Sequence, residues 1–228
     1  MADRPILFSA PMIRALLDGR KTQTRRVLTS YCEEPPAFVE RGIITALDDR
    51  ERPYRWPRTH ATGGRLWVRE AHYLTDDGDQ EAAVYVDDAD EHRSAVLSMQ
   101  ADLHLSDAWA APHLKLRPSI HMPRWASRLT LYVTDVRVER LQDISEEDAR
   151  AEGVECDTDG WRDYQMPRTQ CCADPASSYR TLWDSINGPG AWDANPWIAA
   201  YTFAVRAGNI DSLPLTLSAE IAAAEEGV

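Results

Sequence analysis

PMIRALLDGRKTQTRR, from Pro11 to Arg26, is the stretch from which the fold is read. Pro11 suits a first helical position, Met12, Ala15 and Leu16 share one face, and Gly19 stands where the residue after a helix end belongs. A short helix is therefore predicted over 11–18. Thr22, Thr24 and Arg26 then alternate as at the start of a strand. The chain has two lysines, Lys21 and Lys115, among 25 Lys plus Arg, and Lys21 stands among Arg20, Arg25 and Arg26. Like charge disfavours its ammonium form, and burial would lower its pKa further. Lys21 is thus a candidate base, and the Thr24 hydroxyl beside it a candidate nucleophile. On a turn or bulge the two heads converge; on a regular strand they point to opposite faces. An exposed basic loop with a structural threonine is the alternative.

Working outward, residues 29–63 hold four prolines and no sustained period, and read as an irregular insertion. RLWVREAHYL from Arg65 follows a glycine pair and reads as a strand. Glu81 to Val86 continues as a strand, and the acidic stretch through Asp107 is expected to face solvent. Arg128 to Leu141 alternates Leu129, Leu131 and Val133 as a strand, preceded by a proline-rich loop from Ser119 to Trp125. In ISEEDARAEGV, Ser145 caps a helix, Glu146 to Asp148 place acid in its first turn, and Gly153 ends it. Residues 155–178 read as another irregular insertion. SYRTLWDSING forms a last helix stopped at Gly188, and NPWIAAYTFAVR a last strand. The acidic tail 207–228 is expected to be frayed. Strands separated by helices without a βαβ repeat predict an α+β chain built on a small, mostly antiparallel barrel with helices at its ends.

Glu152 falls on the last turn of the capped helix, where the dipole disfavours a carboxylate, which suits a general acid. The alternative is one more solvated glutamate beside Glu146, Glu147 and Glu155. On the strand from Arg65, Trp67 offers a ring to stack on a pyrimidine, and Arg69 and Glu70 offer hydrogen bonds to its edge. Trp67 reads equally well as core.

GRKTQTR, RLWVRE after the glycine pair, LQDISEEDARAEG and the closing NPWIAAYTF together resemble the ASCH domain, a PUA-like barrel. The resemblance covers most of residues 4–206, with insertions near 29–63, 76–118 and 155–178. Within that superfamily GRKTxTxR resembles the N4-acetylcytidine amidohydrolases, whose activity rests on a lysine, a threonine and a glutamate. It implies Lys21 and Thr24 directly, and Glu152 by segment order. It also implies removal of an acyl group from N4 of an acylated cytosine. Arg26 is a further candidate, beside Trp67, Arg69 and Glu70, for binding that substrate.

Composition bounds the partners. The chain has 228 residues, 43% of them hydrophobic, and a net charge of −12, which fits a small nucleoside better than a long polyanion. Yet six cations from Arg4 to Arg26 and six from Lys115 to Arg140 face few acids, whereas ten carboxylates lie between Asp76 and Asp107. One basic face for RNA is therefore compatible with the total. A non-catalytic module that reads RNA or a modified base is the rival expectation. No run of about 18 apolar residues occurs and the start is unlike a signal peptide, so a cytoplasmic protein without membrane contact is expected. Cys32, Cys156, Cys171 and Cys172 form no Cys-x-x-Cys pair and the histidines no ligand array, so neither disulfide, metal nor cofactor is expected.

Overall fold

A computed structural model describes residues 3–28, 38–40, 42–47, 52–55, 60–76, 81–85, 116–166, 168 and 171–216. The chain is mixed α+β, with mostly strands and few helices. Its largest sheet has five strands in the order β1 (Arg4–Leu7), β6 (Arg65–Arg69), β10 (Leu129–Arg140), β14 (Trp197–Ala207) and β2 (Gln23–Val27). Two compact units divide the chain, residues 1–14, 65–131 and 206–228 forming the first, and 15–64 and 132–205 the second.

In the first unit β1 runs parallel to β6, with Ile6 opposite Val68. Ile6, Leu66, Val68, Met122, Leu129 and Ile210 are buried there. RLWVREAHYL is two strands rather than one: β6 ends at Arg69, and β7 (His72–Asp76) pairs with β8 (Glu81–Tyr85) and β9 (Leu116–Arg117) in a separate sheet. The break falls at Glu70, whose buried carboxylate takes two hydrogen bonds from Arg128, at 2.9 Å each. The start of the tail is also less frayed than its composition predicts. Ile210 is buried, and the Arg65 guanidinium donates to the carbonyls of Ile210, Leu213 and Pro214 while pairing with Asp3. The acidic stretch from 86 to 115 and the end of the tail lie outside the described residues.

In the second unit β2 pairs antiparallel with β14, Thr24 opposite Tyr201. Residues 29–63, expected to be irregular, contain the antiparallel sheet β3 (Phe38–Glu40), β4 (Ile43–Leu47) and β5 (Pro53–Arg55). Residues 155–178 likewise contain β11 (Cys156–Asp157), β12 (Gly160–Arg162) and β13 (Cys171–Cys172). These strands are two to five residues long, too short for a period of two to stand out from composition. The predicted helices are present. The first is α1 (Ala10–Leu17), and Gly19 has a φ of 72°. Next comes α2 (Glu146–Ala151), where Ser145 Oγ accepts from the Asp148 N–H. The last is α3 (Pro175–Asn187), which starts three residues before SYRTLWDSING because Asp174 caps it and accepts from the Ser177 N–H.

Candidate active site

The turn between α1 and β2 is pinned from two sides. The Lys21 N–H donates to the Ala15 carbonyl and the Thr22 N–H to the Ala151 carbonyl at the end of α2, at 2.9 and 2.8 Å. Arg20 adds a bond to the Gly153 carbonyl. The start of β2 is thereby held against the end of α2.

Lys21, 2% exposed, donates from Nζ to the Glu152 carbonyl at 2.8 Å and to its carboxylate Oε2 at 2.7 Å. The two residues that the sequence placed 131 positions apart thus form a buried ion pair. The other carboxylate oxygen, Oε1, lies 3.2 Å from an Arg25 nitrogen and 3.4 Å from the Tyr179 hydroxyl. Arg25 extends the cluster, its Nη2 lying 2.9 Å from Glu139 and 3.1 Å from Asp148. Gln23 donates to Asp148 at 2.9 Å, and so does Arg137 from β10. Tyr179 is held from behind by the rings of Trp183 and Trp192, at 6.1 and 6.2 Å between centroids.

Burial governs the electrostatics. It pulls the Lys21 ammonium below its ordinary value; the charge and hydrogen bond of Glu152 oppose this, and Arg26 and Arg25 reinforce it. Arg25 would lose proton affinity by burial, but the charges of Glu152, Tyr179, Glu139 and Asp148 carry it the other way. Burial alone would raise the Asp148 carboxyl, yet hydrogen bonds from Arg137 and Gln23 and the Arg25 charge hold it low. Burial pushes the Tyr179 phenol well up, with Glu152 adding to the effect, so it remains a donor. A lysine beside a carboxylate but sharing its surroundings with arginines holds its proton less firmly than one in open solvent.

Gly153 decides how closely the turn and the helix end approach. Its φ is 89°, and a Cβ there would lie 2.9 Å from Ala15 Cβ and 3.0 Å from Lys21 Cβ. Gly153→Ala is therefore expected to destabilise the protein by about 1–3 kcal/mol, combining backbone strain with overpacking against Lys21. Thermal unfolding beside Gly19→Ala, where the added Cβ meets nothing within 4 Å, separates the two causes: only Gly153→Ala carries the packing part.

Thr24 is buried and opposite Tyr201. Strand alternation gives it the face of Tyr201 and Arg26, whereas Gln23 and Arg25 turn to the carboxylates of α2. Tyr201 packs edge-on against His60, at 5.1 Å between centroids. Arg26 is exposed. Trp67, Arg69 and Glu70 belong to the first unit. Trp67 is 8% exposed and carries the Arg69 guanidinium 4.9 Å above its ring; Arg69 donates twice to the Met122 carbonyl, and Glu70 is clamped by Arg128.

Sequence reasoning passed over Arg25 and Tyr179. Arg25 carries no pattern that separates it from Arg20 and Arg26. Tyr179, Leu182 and Trp183 have the spacing of an ordinary core face. Among the described residues no group of three or more His, Cys, Asp or Glu is arranged to hold a metal ion, and no helix is long and apolar enough to cross a membrane. No family model, no curated protein and no solved structure matches the chain.

Proposed function

We propose that the chain is an amidohydrolase that removes the acyl group from the exocyclic N4 of an acylated cytosine nucleoside. The observation that carries the reading is the buried contact of 2.7 Å between Lys21 and Glu152, formed by two of the three residues that the resemblance to the ASCH domain and its PUA-like barrel implies. In its neutral form Lys21 takes the proton of the Thr24 hydroxyl as the oxygen attacks the acyl carbon. Collapse of the tetrahedral intermediate breaks the bond to N4. The Lys21 ammonium passes its proton to the Glu152 carboxylate, and Glu152 gives it to the departing nitrogen, so that Glu152 begins and ends as the carboxylate. Water then attacks the acyl-threonine with the same pair as base and acid, releasing the carboxylic acid. Across the cycle one water is consumed and the protons balance. Arg26 lies on the face of β2 that carries Thr24 and is assigned to hold the nucleoside.

One observation favours the second reading, a module that binds RNA or reads a modified base without turnover: alternation along β2 separates Thr24 from the face of Gln23 and Arg25. Incubation with N4-acetylcytidine, followed by the absorbance change to cytidine, decides between them. Turnover supports the hydrolase. No turnover on any N4-acylated cytosine, with salt-dependent RNA retention, supports the module.

Acyl scope follows as a further expected result. The sheet β3-β4-β5 belongs to the same unit as the pair, and an insertion that walls a pocket leaves room beyond acetyl. N4-benzoylcytidine is expected to be hydrolysed as well, since each buried methylene-sized group contributes up to about 0.8 kcal/mol. Strict acetyl preference in paired kcat/KM measurements would return these segments to surface decoration.

A further inference from the structure

The buried cluster contains one cation that the proposed chemistry leaves without a task. The Arg25 side chain is fully buried and in contact with Glu139, Asp148 and Glu152 at 2.9, 3.1 and 3.2 Å. A surface arginine making one pair would carry little meaning, but one buried guanidinium among three carboxylates is a costly arrangement. Its Nη1 is shared with the Gln23 side-chain oxygen at 3.2 Å, and its buried Nε has no hydrogen-bond partner. The fork is therefore aimed at the carboxylates rather than at the fullest hydrogen bonding of its own nitrogens.

We propose that Arg25 is a positioning residue that gives the Glu152 carboxylate a permanent counter-charge, so that Lys21 can release its proton without leaving that carboxylate unpaired. This rests on the amidohydrolase reading, because only a lysine that must become neutral needs a second cation on its partner. The two cations divide the carboxylate between them, Lys21 on Oε2 and Arg25 on Oε1. Arg25 and Arg26 on β2 and Tyr179 on α3 act directly on Lys21 or Glu152, and Gln23 on β2, Arg137 and Glu139 on β10 and Asp148 on α2 join the cluster through Arg25 and Asp148. In that set Glu139, Asp148 and Glu152 are opposed by Lys21, Arg25 and Arg137 in contact with them. Remove Arg25, and Lys21 becomes the one remaining cation in contact with Glu152 among the described residues. Its proton is then held by the whole charge of that carboxylate. The Arg25 charge already acts on Lys21 in the direction this requires, favouring the neutral amine.

The two lysines of the chain make the test direct, because lysine labelled with 13C and 15N gives two side-chain signals, from Lys21 and Lys115. In Arg25→Gln the pH midpoint of Lys21 is expected to rise by about one unit or more, a tenfold gain in proton affinity, while Lys115 stays in place. The acid limb of kcat against pH for N4-acetylcytidine moves the same way, with KM changing less than kcat. Arg25→Lys keeps the charge but cannot bridge three carboxylates; it retains the Lys21 midpoint and loses about tenfold or more in kcat, in the range of a mispositioned acid–base group. An unmoved Lys21 midpoint in folded Arg25→Gln overturns the proposal. Should the glutamine variant fail to fold, wild-type kcat in folded Arg25→Lys overturns it instead. Absence of turnover by the wild-type protein sinks the amidohydrolase reading, and the Lys21 midpoint still reports whether Arg25 governs its proton.

Discussion

Lys21→Arg is expected to reduce kcat/KM for N4-acetylcytidine by at least about 100-fold, the usual cost of losing a positioned base, in a protein that still folds. The guanidinium keeps the charge opposite Glu152 but has no neutral form near pH 7, so the step in which Thr24 loses its proton has no acceptor. Folding survives because the buried carboxylate retains a cation. The larger head must fit where the Lys21 ammonium makes bonds of 2.7 and 2.8 Å, and such overpacking costs about 1–3 kcal/mol. Circular dichroism and a melting curve check the fold, and a progress curve on N4-acetylcytidine checks the chemistry. More than about a tenth of wild-type activity would remove Lys21 from the role of base, because losses at such positions are far larger. Lys115→Arg serves as the control, since it repeats the same chemical change in the other lysine.

The sequence was most legible where local chemistry is strongest. The capped helix from Ser145 to Gly153 has its cap, its acidic first turn and its terminating glycine within nine residues, and each is satisfied by near neighbours. The helix, glycine and strand from Pro11 to Arg26 follow for the same reason, and Lys21 could be picked out because it is the exception in an arginine-rich turn. What was hidden depends on partners distant along the chain. Arg25 finds Glu139 and Glu152 at separations of 114 and 127 residues, which no local pattern encodes. Glu70 breaks a strand that its neighbours would continue, because Arg128 takes both of its oxygens. The pairings of β3 with β4 and of β11 with β12 are, by contrast, local hairpins, with Glu40 opposite Ile43 and Asp157 opposite Gly160, hidden because strands so short do not announce themselves.

Glu152→Gln is expected to have the largest combined effect, removing turnover and lowering stability by about 3–5 kcal/mol at neutral pH, the cost of breaking a buried ion pair from one side. The amide keeps the size of the carboxylate but leaves two buried cations, Lys21 and Arg25, facing a neutral group. For a protein of this length that corresponds to a fall in Tm on the order of 10 °C. Arg25 cannot respond by losing its proton, but Lys21 can. Without Glu152 its folded-state proton affinity drops further below the unfolded value. Such a lysine costs most where both states would hold the proton, and the cost shrinks as pH rises through the folded value towards the unfolded one, because the folded protein can then carry the neutral amine. The stability gap between wild type and Glu152→Gln should therefore narrow as pH rises towards the ordinary lysine value of 10.5. Glu146→Gln and Glu147→Gln, at exposed positions on the same helix, provide the comparison. Glu146 makes only a surface pair with Arg150, so both changes should stay within about 0.5 kcal/mol at every pH. Equal and small effects at all three glutamates, in melting and in hydrolysis, would mean that the contact between Lys21 and Glu152 carries neither the fold nor the reaction.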